Sequence, residues 1–390
     1  MMGNAYIIVV DGLGVGAQED ASEYGDESMN TLGHVSEETG VKLPNLQKMG
    51  LGNIIPLASI EENENPLAAY GKLREVSAGK DSTTGHWEIA GIQLDKPFPT
   101  YPDGFPENLI QDFCKGIGLD KVLCNKPYSG TDVINDFGEE HLKTGYPIVY
   151  TSADSVFQVA CHEEVVLVEK LYEWCEFTRN NICVGQHEVG RVIARPFTGK
   201  AGSFERISDK RHDYSSLPPE NNLVQKLYDS GVKTYSIGKV ADLFAGKGFT
   251  QYRPTKSNAE GISQLLSLMS AGLDNSFVFV NLIDTDQLFG HRLDPEGYAD
   301  SLAEFDRAIP AIVSKIREGD LLIITGDHGN DPCSESTDHS REFVPLLVFP
   351  KNSAKAEDLG TGKTFSNIAK TVAEFFKLKD DFPGSSFLGK

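Results

Sequence analysis

Carboxylate side chains follow three apolar segments of the sequence. The run YIIVV leads into Asp11, FVFVNLI leads into Asp284 and Asp286, and LLIITG leads into Asp327. Aspartate is common after a strand because it caps helices and turns, and this explanation suffices for any one of the three. Gathered at one edge of a sheet, the three would repel each other and raise each other's pKa, a cost that a divalent cation removes. Together they predict a metal site.

Histidines accompany these carboxylates in the motifs DTDQLFGH, GDHGND and DHSRE. Six ligands, enough for two metals with three protein ligands each, are Asp11, Asp286, His291, Asp327, His328 and His339. Mixed carboxylate and imidazole ligands suit manganese or zinc better than calcium or magnesium. Two such ions would leave positions open for substrate oxygens and are suited to phosphoryl or sulfuryl transfer.

The segment GKDSTTGHWE, residues 79–88, offers candidate nucleophiles. It places Ser82, Thr83 and Thr84 together in a polar stretch. Such a run is more often a solvated turn or a helix cap. A metal-bound alkoxide would need no neighbouring base, and no GxSxG motif indicates a Ser-His-Asp triad. The segment alone leaves open which hydroxyl reacts.

Short apolar runs predict the strands that position these groups. They are residues 6–10, 147–151, 234–238, 277–283, 321–325 and 345–349. Helix-like stretches lie between many of them, including 262–273 and 298–318. This alternation indicates an α/β fold with a mostly parallel sheet, in which sites form beyond the carboxyl ends of the strands.

The middle of the chain has a different composition. Stretches rich in Pro, Gly and Tyr, KPFPTYPDGFPE and SDKRHDYSSLPPENN, bracket a segment of ordinary domain size. We therefore predict an inserted domain at residues 99–217 within a discontinuous core of residues 1–98 and 218–390.

The composition of this 390-residue chain argues against some classes of binding partner. Its net charge of −21, without a basic run, argues against nucleic acid, and no apolar segment is long enough for a membrane span. The six cysteines form no CxxC pair, and the N-terminus lacks a basic signal-peptide region, so we expect a cytoplasmic protein. Without heptads or an obvious exposed apolar strip, a monomer is expected. An anionic substrate would need local positive charge from metals, Arg or Lys.

Several motifs resemble those of the phosphopentomutases, a family of the alkaline phosphatase superfamily. They are DGLGVG, GKDSTTGHWE, YTSADSV, GRVIARP, NLIDTDQLFGHRLDP and GDHGNDP…TDHSREFVPLL, and they cover nearly the whole chain. The resemblance implies an alkaline-phosphatase-like core, with a mostly parallel sheet flanked by helices, and an inserted smaller α/β cap domain that binds the sugar phosphate. It implies an isomerase that interconverts ribose 1-phosphate and ribose 5-phosphate, and the 2-deoxyribose pair, through a phosphoenzyme and a sugar 1,5-bisphosphate.

The same resemblance implies roles for individual residues. Two Mn²⁺ ions per chain would be held, one by Asp286, His291 and His339, the other by Asp11, Asp327 and His328. The nucleophile is the hydroxyl directly after GKD, usually Thr in the family and here Ser82. Residues that match positions holding the sugar and its distal phosphate are Asp154, Arg191, Ile193, Arg206 and Lys239. Glucose 1,6-bisphosphate or ribose 1,5-bisphosphate would prime the dephosphorylated enzyme.

Other polar residues near the motifs are expected to have structural roles at most. They are His34, His86, Asp284, Asp331 and Asp338, and Cys333 is an incidental neighbour of the metal motif. Two alternatives to a mutase remain. One is a metal-dependent phosphatase or phosphodiesterase of the same superfamily, in which water takes the phosphate. The other is an inactive sugar-phosphate sensor.

Overall fold

The computed structural model describes residues 3–152 and 155–389. The chain divides into two compact units. The first, which we call the core unit, comprises Met1–Pro97 and Pro218–Lys390, and the second, the inserted unit, comprises Phe98–Leu217. None of the helices in the described parts of the chain combines the length and the apolar character that crossing a membrane requires.

Strands and helices alternate along most of the chain. The strands among the described residues are β1 (Ala5–Val10), β2 (Ala69–Leu73), β3 (Leu123–Pro127), β4 (Ile148–Thr151), β5 (Val156–His162), β6 (Arg191–Lys200), β7 (Ser203–Arg206), β8 (His212–Ser215), β9 (Lys233–Ile237), β10 (Gln251–Arg253), β11 (Ser276–Leu282), β12 (Leu321–Thr325), β13 (Val344–Phe349) and β14 (Asp358–Gly362). The α-helices of the same residues are α1 (Thr31–Thr39), α2 (Pro44–Met49), α3 (Ser82–Ile89), α4 (Glu107–Ile117), α5 (Asp132–Thr144), α6 (Val168–Phe177), α7 (Leu223–Asp229), α8 (Val240–Leu243), α9 (Asn258–Ser270), α10 (Pro295–Val313) and α11 (Asn367–Phe375).

One mixed sheet organises the core unit. In the described residues its strand order is β10-β9-β11-β1-β12-β13-β2-β14, and only the two pairings of β13 are antiparallel. Strands β1, β11 and β12 are buried along their whole length, as expected for parallel strands covered on both faces. All six strands predicted from apolar runs form, and the prediction of a mostly parallel sheet is confirmed.

Helices cover both faces of this sheet. Tyr6, Ile8 and Val10 of β1 join one hydrophobic cluster with side chains of α1, α2, α9 and α10. Side chains alternate along a strand, so the intervening residues point to the opposite face. There the ring of His86 in α3 stacks on Phe279 of β11, with ring centroids 5.6 Å apart. Helix α3 therefore packs against the same sheet whose strand ends carry the predicted ligands.

The inserted unit contains its own sheet, in the order β3-β4-β5-β6-β7, with β8 paired to β6. Phe113 of α4 and Trp174 of α6 pack with Phe157 of β5 on one face. Val133 of α5 packs with Tyr150 of β4 on the other. This unit is therefore a three-layered α/β structure, the smaller of the two.

Candidate active site

The carboxyl ends of three adjacent strands bring the predicted carboxylates together. Strand β1 lies between β11 and β12, and Asp11 follows it directly. Gly12 then turns the chain with φ of +75°, and a Cβ there would lie 3.3 Å from Cβ of Asp286. The backbone N–H of Gly12 donates to Oδ1 of Asp327 at 3.1 Å. Glycine at this position lets the three carboxylate-bearing segments approach one another.

Asp286, His291 and His339 form the first of two potential metal-binding groups among the described residues. Asp286 lies in a π-helical turn, Thr285–Phe289, that follows β11. Its Oδ1 is 3.4 Å from Nε2 of His291 and 3.2 Å from Nε2 of His339. Nδ1 of His291 donates to the carbonyl oxygen of Thr337 at 2.6 Å, which leaves Nε2 as the ligand atom.

Asp11, Asp286 and His328 form the second group, so Asp286 belongs to both. Nδ1 of His328 donates to the carbonyl oxygen of Gly329 at 3.0 Å, and its Nε2 is 3.3 Å from Oδ1 of Asp11. Asp327 lies outside this group, although its Oδ2 is 3.4 Å from the same Nε2. All six predicted ligands thus lie at one edge of the core sheet.

The electrostatics of this edge favour cations. Burial acts to lower the pKa of His328, but Asp327, Asp11 and Asp286 outweigh it and raise that pKa well above its usual range. Oδ1 of Asp11 and Nε2 of His339 are buried without a hydrogen-bond partner among the described residues, and Oδ2 of Asp327 lies 3.0 Å from Nδ1 of His86. Buried lone pairs that lack donors are costly, and divalent cations would satisfy them. The donor set therefore fits two metal ions.

Ser82 is the hydroxyl that points to this cluster. Helix α3 begins at Ser82, and Asp81 caps it by accepting from the backbone N–H groups of Thr83 and Thr84. The Thr84 hydroxyl donates to Oδ2 of Asp81 at 2.6 Å. Oγ of Ser82 instead lies 2.9 Å from Nζ of Lys239 and 3.1 Å from Nε2 of His328. The geometry favours Ser82 over Thr84 as the nucleophile.

Lys239 follows β9 and bridges the two parts of the site. Its Nζ donates to Oδ2 of Asp11 at 2.6 Å as well as to Ser82. Burial acts to lower the pKa of Lys239, but the carboxylates of Asp11, Asp286 and Asp327 outweigh it, so that pKa is raised. The ammonium is therefore charged beside the candidate nucleophile. The family motif predicts this lysine as a ligand of the sugar phosphate.

Two buried side chains, those of Asn281 and His86, connect the predicted ligand Asp11 to the candidate nucleophile Ser82. The Asn281 side-chain amide donates to Oδ2 of Asp11 at 3.0 Å and to Nε2 of His86 at 3.1 Å. Nδ1 of His86 donates to the Ser82 carbonyl oxygen at 2.9 Å, one helical turn back. His86 therefore has the structural position expected for it. Asn281 was missed, although an amide inside the apolar run FVFVNLI is a signal of a specific hydrogen bond.

Arg341 is a second group that sequence reasoning missed. This buried guanidinium donates to the carbonyl oxygens of Ser77 at 2.8 Å, Gly79 at 2.7 Å and Glu75 at 3.0 Å. It therefore ties the loop before Ser82 to the segment that carries His339. A charged residue between a metal motif and a buried strand, as in DHSREFVPLL, was the available signal.

The remaining polar residues near the motifs make structural contacts. Oδ2 of Asp284 accepts from the backbone N–H of Asn258 at 2.8 Å, and Oδ2 of Asp331 lies 2.6 Å from Nδ1 of His34. Asp338 lies 3.5 Å from Nζ of Lys80. Cys333 is exposed, and partial burial together with Asp331 raises the pKa of its thiol to about 11. A neutral thiol is a poor metal ligand.

Most of the predicted substrate residues lie in the inserted unit. Arg191 and Ile193 are on β6, and Arg206 ends β7. Nη1 of Arg191 is 3.4 Å from Oδ2 of Asp213, Ile193 is buried, and Arg206 is exposed. Asp154 lies outside the described residues.

Comparisons with known proteins place the chain among metalloenzymes. A family model described as the metalloenzyme superfamily matches residues 3–380. The phosphopentomutase of Caldanaerobacter subterraneus subsp. tengcongensis is 51% identical over 388 residues, 100% of this chain and 98% of that protein. The phosphopentomutase of Acetivibrio thermocellus is 51% identical over 389 residues, 100% of this chain and 99% of the relative. The phosphoglycerate mutase of Leishmania mexicana matches in structure with a TM-score of 0.50 at 11% identity, covering 100% of this chain and 98% of that chain, which shows a shared fold.

These comparisons confirm the predicted alkaline-phosphatase-like fold and the family resemblance. The family match and the two groups of metal-ligating residues together indicate that the protein depends on bound metal. The chain belongs to the metalloenzyme superfamily and, within it, to the phosphopentomutase family.

Proposed function

We propose that this chain is an isomerase that interconverts ribose 1-phosphate and ribose 5-phosphate, and the corresponding 2-deoxyribose phosphates. The reaction passes through a phosphoserine at Ser82 and a sugar 1,5-bisphosphate. The observation that carries the proposal is the position of the Ser82 hydroxyl, 3.1 Å from His328 and 2.9 Å from Lys239 at the edge that gathers all six predicted ligands. Relatives about half identical to this chain are named phosphopentomutases.

The site is proposed to hold two Mn²⁺ ions. One would be held by Asp286, His291 and His339, and the other by Asp11, Asp327 and His328. When bound, such ions neutralise the oxygens of a transferring phosphoryl group and lower the pKa of an attacking hydroxyl. Mixed carboxylate and imidazole donors favour manganese or zinc over magnesium or calcium. Activity and protein-bound metal measured together, after chelation and readdition of each ion, identify the metal.

The side chains around Ser82 have separate tasks in this proposal. The resting enzyme carries phosphate on Oγ of Ser82, and a sugar monophosphate presents its free hydroxyl to that phosphorus. Nζ of Lys239, 2.9 Å from Oγ, stabilises this oxygen as its bond to phosphorus breaks and the bond to the sugar oxygen forms. His86 and Asn281 keep Ser82 and Asp11 in place. The bisphosphate then returns its other phosphate to Ser82.

The substrate must be held while its two phosphates exchange roles. We propose that Arg191, Ile193 and Arg206 of the inserted unit, Lys239, and Asp154, which lies outside the described residues, bind the sugar and its distal phosphate. Guanidinium groups pair bidentately with phosphate, and a chain with a net charge of −21 needs such local positive charge to retain an anion. The inserted unit would act as a cap that keeps water from hydrolysing the phosphoserine. Loss of the bisphosphate would leave Ser82 dephosphorylated, so glucose 1,6-bisphosphate or ribose 1,5-bisphosphate is the expected priming activator.

Phosphopeptide mapping tests this proposal. The Mn²⁺-loaded chain is incubated with glucose 1,6-bisphosphate and digested, and the added phosphate is located by mass spectrometry. Phosphate on Ser82, absent from Ser82→Ala, is the expected result. Phosphate on Thr83 or Thr84 would retain the mutase and contradict the assigned nucleophile. A metal-loaded chain that forms no phosphoenzyme and steadily releases inorganic phosphate from ribose 5-phosphate would be a phosphatase instead.

Small sugar phosphates are thus the proposed partners of this chain. The expected cytoplasmic location, the monomeric state, and the lack of nucleic-acid or membrane partners stay predictions. Size-exclusion chromatography with light scattering checks the monomeric state.

A further inference from the structure

The motif GDHGND contains a fully buried asparagine next to the predicted metal ligands. Nδ2 of Asn330 donates to Oδ1 of Asp286 at 2.8 Å. A carboxylate oxygen only accepts hydrogen bonds, so the amide presents its NH2 group to Asp286. The same Oδ1 lies 3.4 Å from Nε2 of His291 and 3.2 Å from Nε2 of His339. Asn330 therefore contacts the metal-ligating carboxylate at the atom that faces both histidines.

The side chain of Asn330 fits between two glycines that adjoin predicted ligands. A Cβ on Gly290, next to His291, would lie 2.5 Å from Cγ of Asn330, which is closer than side chains allow. A Cβ on Gly12, next to Asp11, would lie 3.1 Å from Cβ of Asn330. The segments that carry Asp11 and His291 thus enclose the amide, and this limits the rotation of its side chain.

The backbone around Asn330 is also fixed. Its N–H donates to Oγ1 of Thr31 at 3.1 Å, and that hydroxyl donates to Oε1 of the buried Glu342 at 2.6 Å. Gly329, directly before it, exchanges both backbone hydrogen bonds with Ser340, at 3.0 and 2.8 Å. Contacts with the start of α1 and with the DHSRE segment therefore hold the amide in place.

A purely structural role does not account for this amide. Oδ1 of Asn330 is buried without a hydrogen-bond partner among the described residues, and an unpaired buried acceptor is costly. The buried amide of Asn4, in contrast, uses both of its ends. Its Nδ2 donates to Oδ1 of Asp320 at 3.0 Å, and its Oδ1 accepts from the backbone N–H of Ser276 at 3.2 Å. A half-satisfied buried amide is expected where the residue serves a functional site.

We propose that Asn330 is a positioning residue that orients the Asp286 carboxylate for metal binding. The inference rests on the two-metal site of the proposed function. Asp286 belongs to both potential metal-binding groups, so the orientation of this one side chain affects both. Because the amide is uncharged, it holds the carboxylate without neutralising the charge that attracts a cation. Without it, Oδ1 of Asp286 loses a donor that keeps it beside the two histidines, and metal affinity falls.

Calorimetric titration of the metal-free full chain with Mn²⁺, without sugar phosphate, tests this role. Asn330→Leu removes the donor at about the same side-chain volume and should weaken Mn²⁺ binding about ten- to hundredfold. Asn4→Leu is the matched control, since it removes an equivalent amide–carboxylate hydrogen bond at the opposite end of β1 from Asp11. Its unfolding temperature should fall, while the Mn²⁺ affinity of the folded chain stays that of the wild type.

Asn330→Ala provides a second variant that adds no bulk between the two glycines. It should weaken Mn²⁺ binding in the same direction. The Mn²⁺ concentration for half-maximal interconversion should rise by about the factor measured for Kd, and the KM for ribose 5-phosphate at saturating Mn²⁺ should not change. Unchanged Mn²⁺ affinity in folded Asn330→Leu and Asn330→Ala, or an equal loss in Asn4→Leu, would overturn the role.

The titration and the interconversion assay separate this role from the proposed function. A wild-type chain whose Mn²⁺ affinity depends on Asn330, yet which does not interconvert the ribose phosphates, would retain the role and remove the function. A wild-type chain that interconverts them, with Asn330 variants that bind Mn²⁺ as tightly as it does, would retain the function and remove the role. A wild-type chain that binds no Mn²⁺ would contradict both.

Discussion

The core unit and the inserted unit each concentrate charge, with opposite signs and in different surroundings. At the sheet edge of the core unit, Asp11, Asp286 and Asp327 are almost fully buried, and each accepts a hydrogen bond from the protein. On the sheet of the inserted unit, Arg195 is half-buried and Arg206 is exposed, and the Nη1 atoms of both lie within 4 Å of the point that a Cβ on Gly130 would occupy. One region is held rigidly by its own contacts, and the other presents groups that a ligand would satisfy.

This difference separates chemistry from binding. Buried carboxylates in fixed positions suit cations and charge that develops in a transition state, because no reorganisation is needed at the moment of reaction. Cationic groups with unfilled hydrogen bonds suit a phosphate that stays bound while the reaction proceeds. Substitutions in the core-unit site should therefore lower kcat, and those of the arginine cluster, by which we mean Arg191, Arg195, Arg206 and Arg211 of the inserted unit, should raise KM.

The largest effect on kcat is predicted for Ser82→Ala in the core-unit site. Removing the nucleophile should lower kcat on the order of 10⁴-fold or more, because the covalent step is lost while binding residues stay in place. The KM for ribose 5-phosphate, measured where residual turnover allows, should change little. Thr83→Ala is the control and should retain activity, since Asp81 caps the helix through the backbone N–H of residue 83. Full activity in Ser82→Ala would move the nucleophile to a neighbouring threonine.

Lys239→Met should have the next largest effect. The substitution keeps the length of the side chain and removes the ammonium that lies 2.9 Å from Oγ of Ser82 and 2.6 Å from Oδ2 of Asp11. We expect kcat to fall about 10²- to 10³-fold, the usual cost of losing a donor to a developing oxyanion. A change confined to KM would leave Lys239 only its second proposed role, as a ligand of the distal phosphate. Steady-state kinetics with ribose 5-phosphate distinguish the two.

The sequence predicts the sheet edge well because strand direction determines where a terminal aspartate lies. Apolar runs that end in Asp11, Asp286 and Asp327 formed adjacent strands, so the three carboxylates met at one edge. Asn281 and Arg341 were missed because their partners are backbone or side-chain atoms distant in sequence. Arg195 and Tyr150 belong to separate strands with Gly130 in a third segment, and their convergence depends on strand order, which residue patterns do not specify.

Glu88→Gln tests how much the stability of the core unit depends on a buried carboxylate that is not among the predicted metal ligands. Glu88 is buried and accepts from the backbone N–H groups of Val76, Ser77 and Phe365 and from the Thr364 hydroxyl, at 2.6 to 3.0 Å. Glutamine cannot accept all four, so the free energy of unfolding should fall by about 2 to 3 kcal/mol. Urea unfolding measures it. Glu107→Gln, at an exposed position of α4, is the control and should change stability by less than about 0.5 kcal/mol.

The smallest predicted effect concerns Asp213, whose carboxylate partly neutralises the charge of the neighbouring arginines. Burial acts to raise the pKa of Asp213, but Arg211, Arg191 and Arg195 outweigh it and hold that pKa below its ordinary value of 3.8. A carboxyl with a lowered pKa stabilises the folded state above its unfolded pKa, and this contribution is lost as the pH falls through the folded value. Asp213→Asn should therefore be less stable than the wild type at pH 7, with the difference shrinking below about pH 4.

The same substitution should strengthen phosphate binding. Without the Asp213 carboxylate, the guanidinium groups of Arg191 and Arg195 present more positive charge, and the affinity for ribose 5-phosphate should rise about two- to fivefold at low salt. Added salt should reduce this gain, because the new attraction is electrostatic. Weaker binding in Asp213→Asn would show instead that the carboxylate positions the arginines. The cluster would then resemble the core-unit site, since its geometry would depend on internal pairing as much as on its charge.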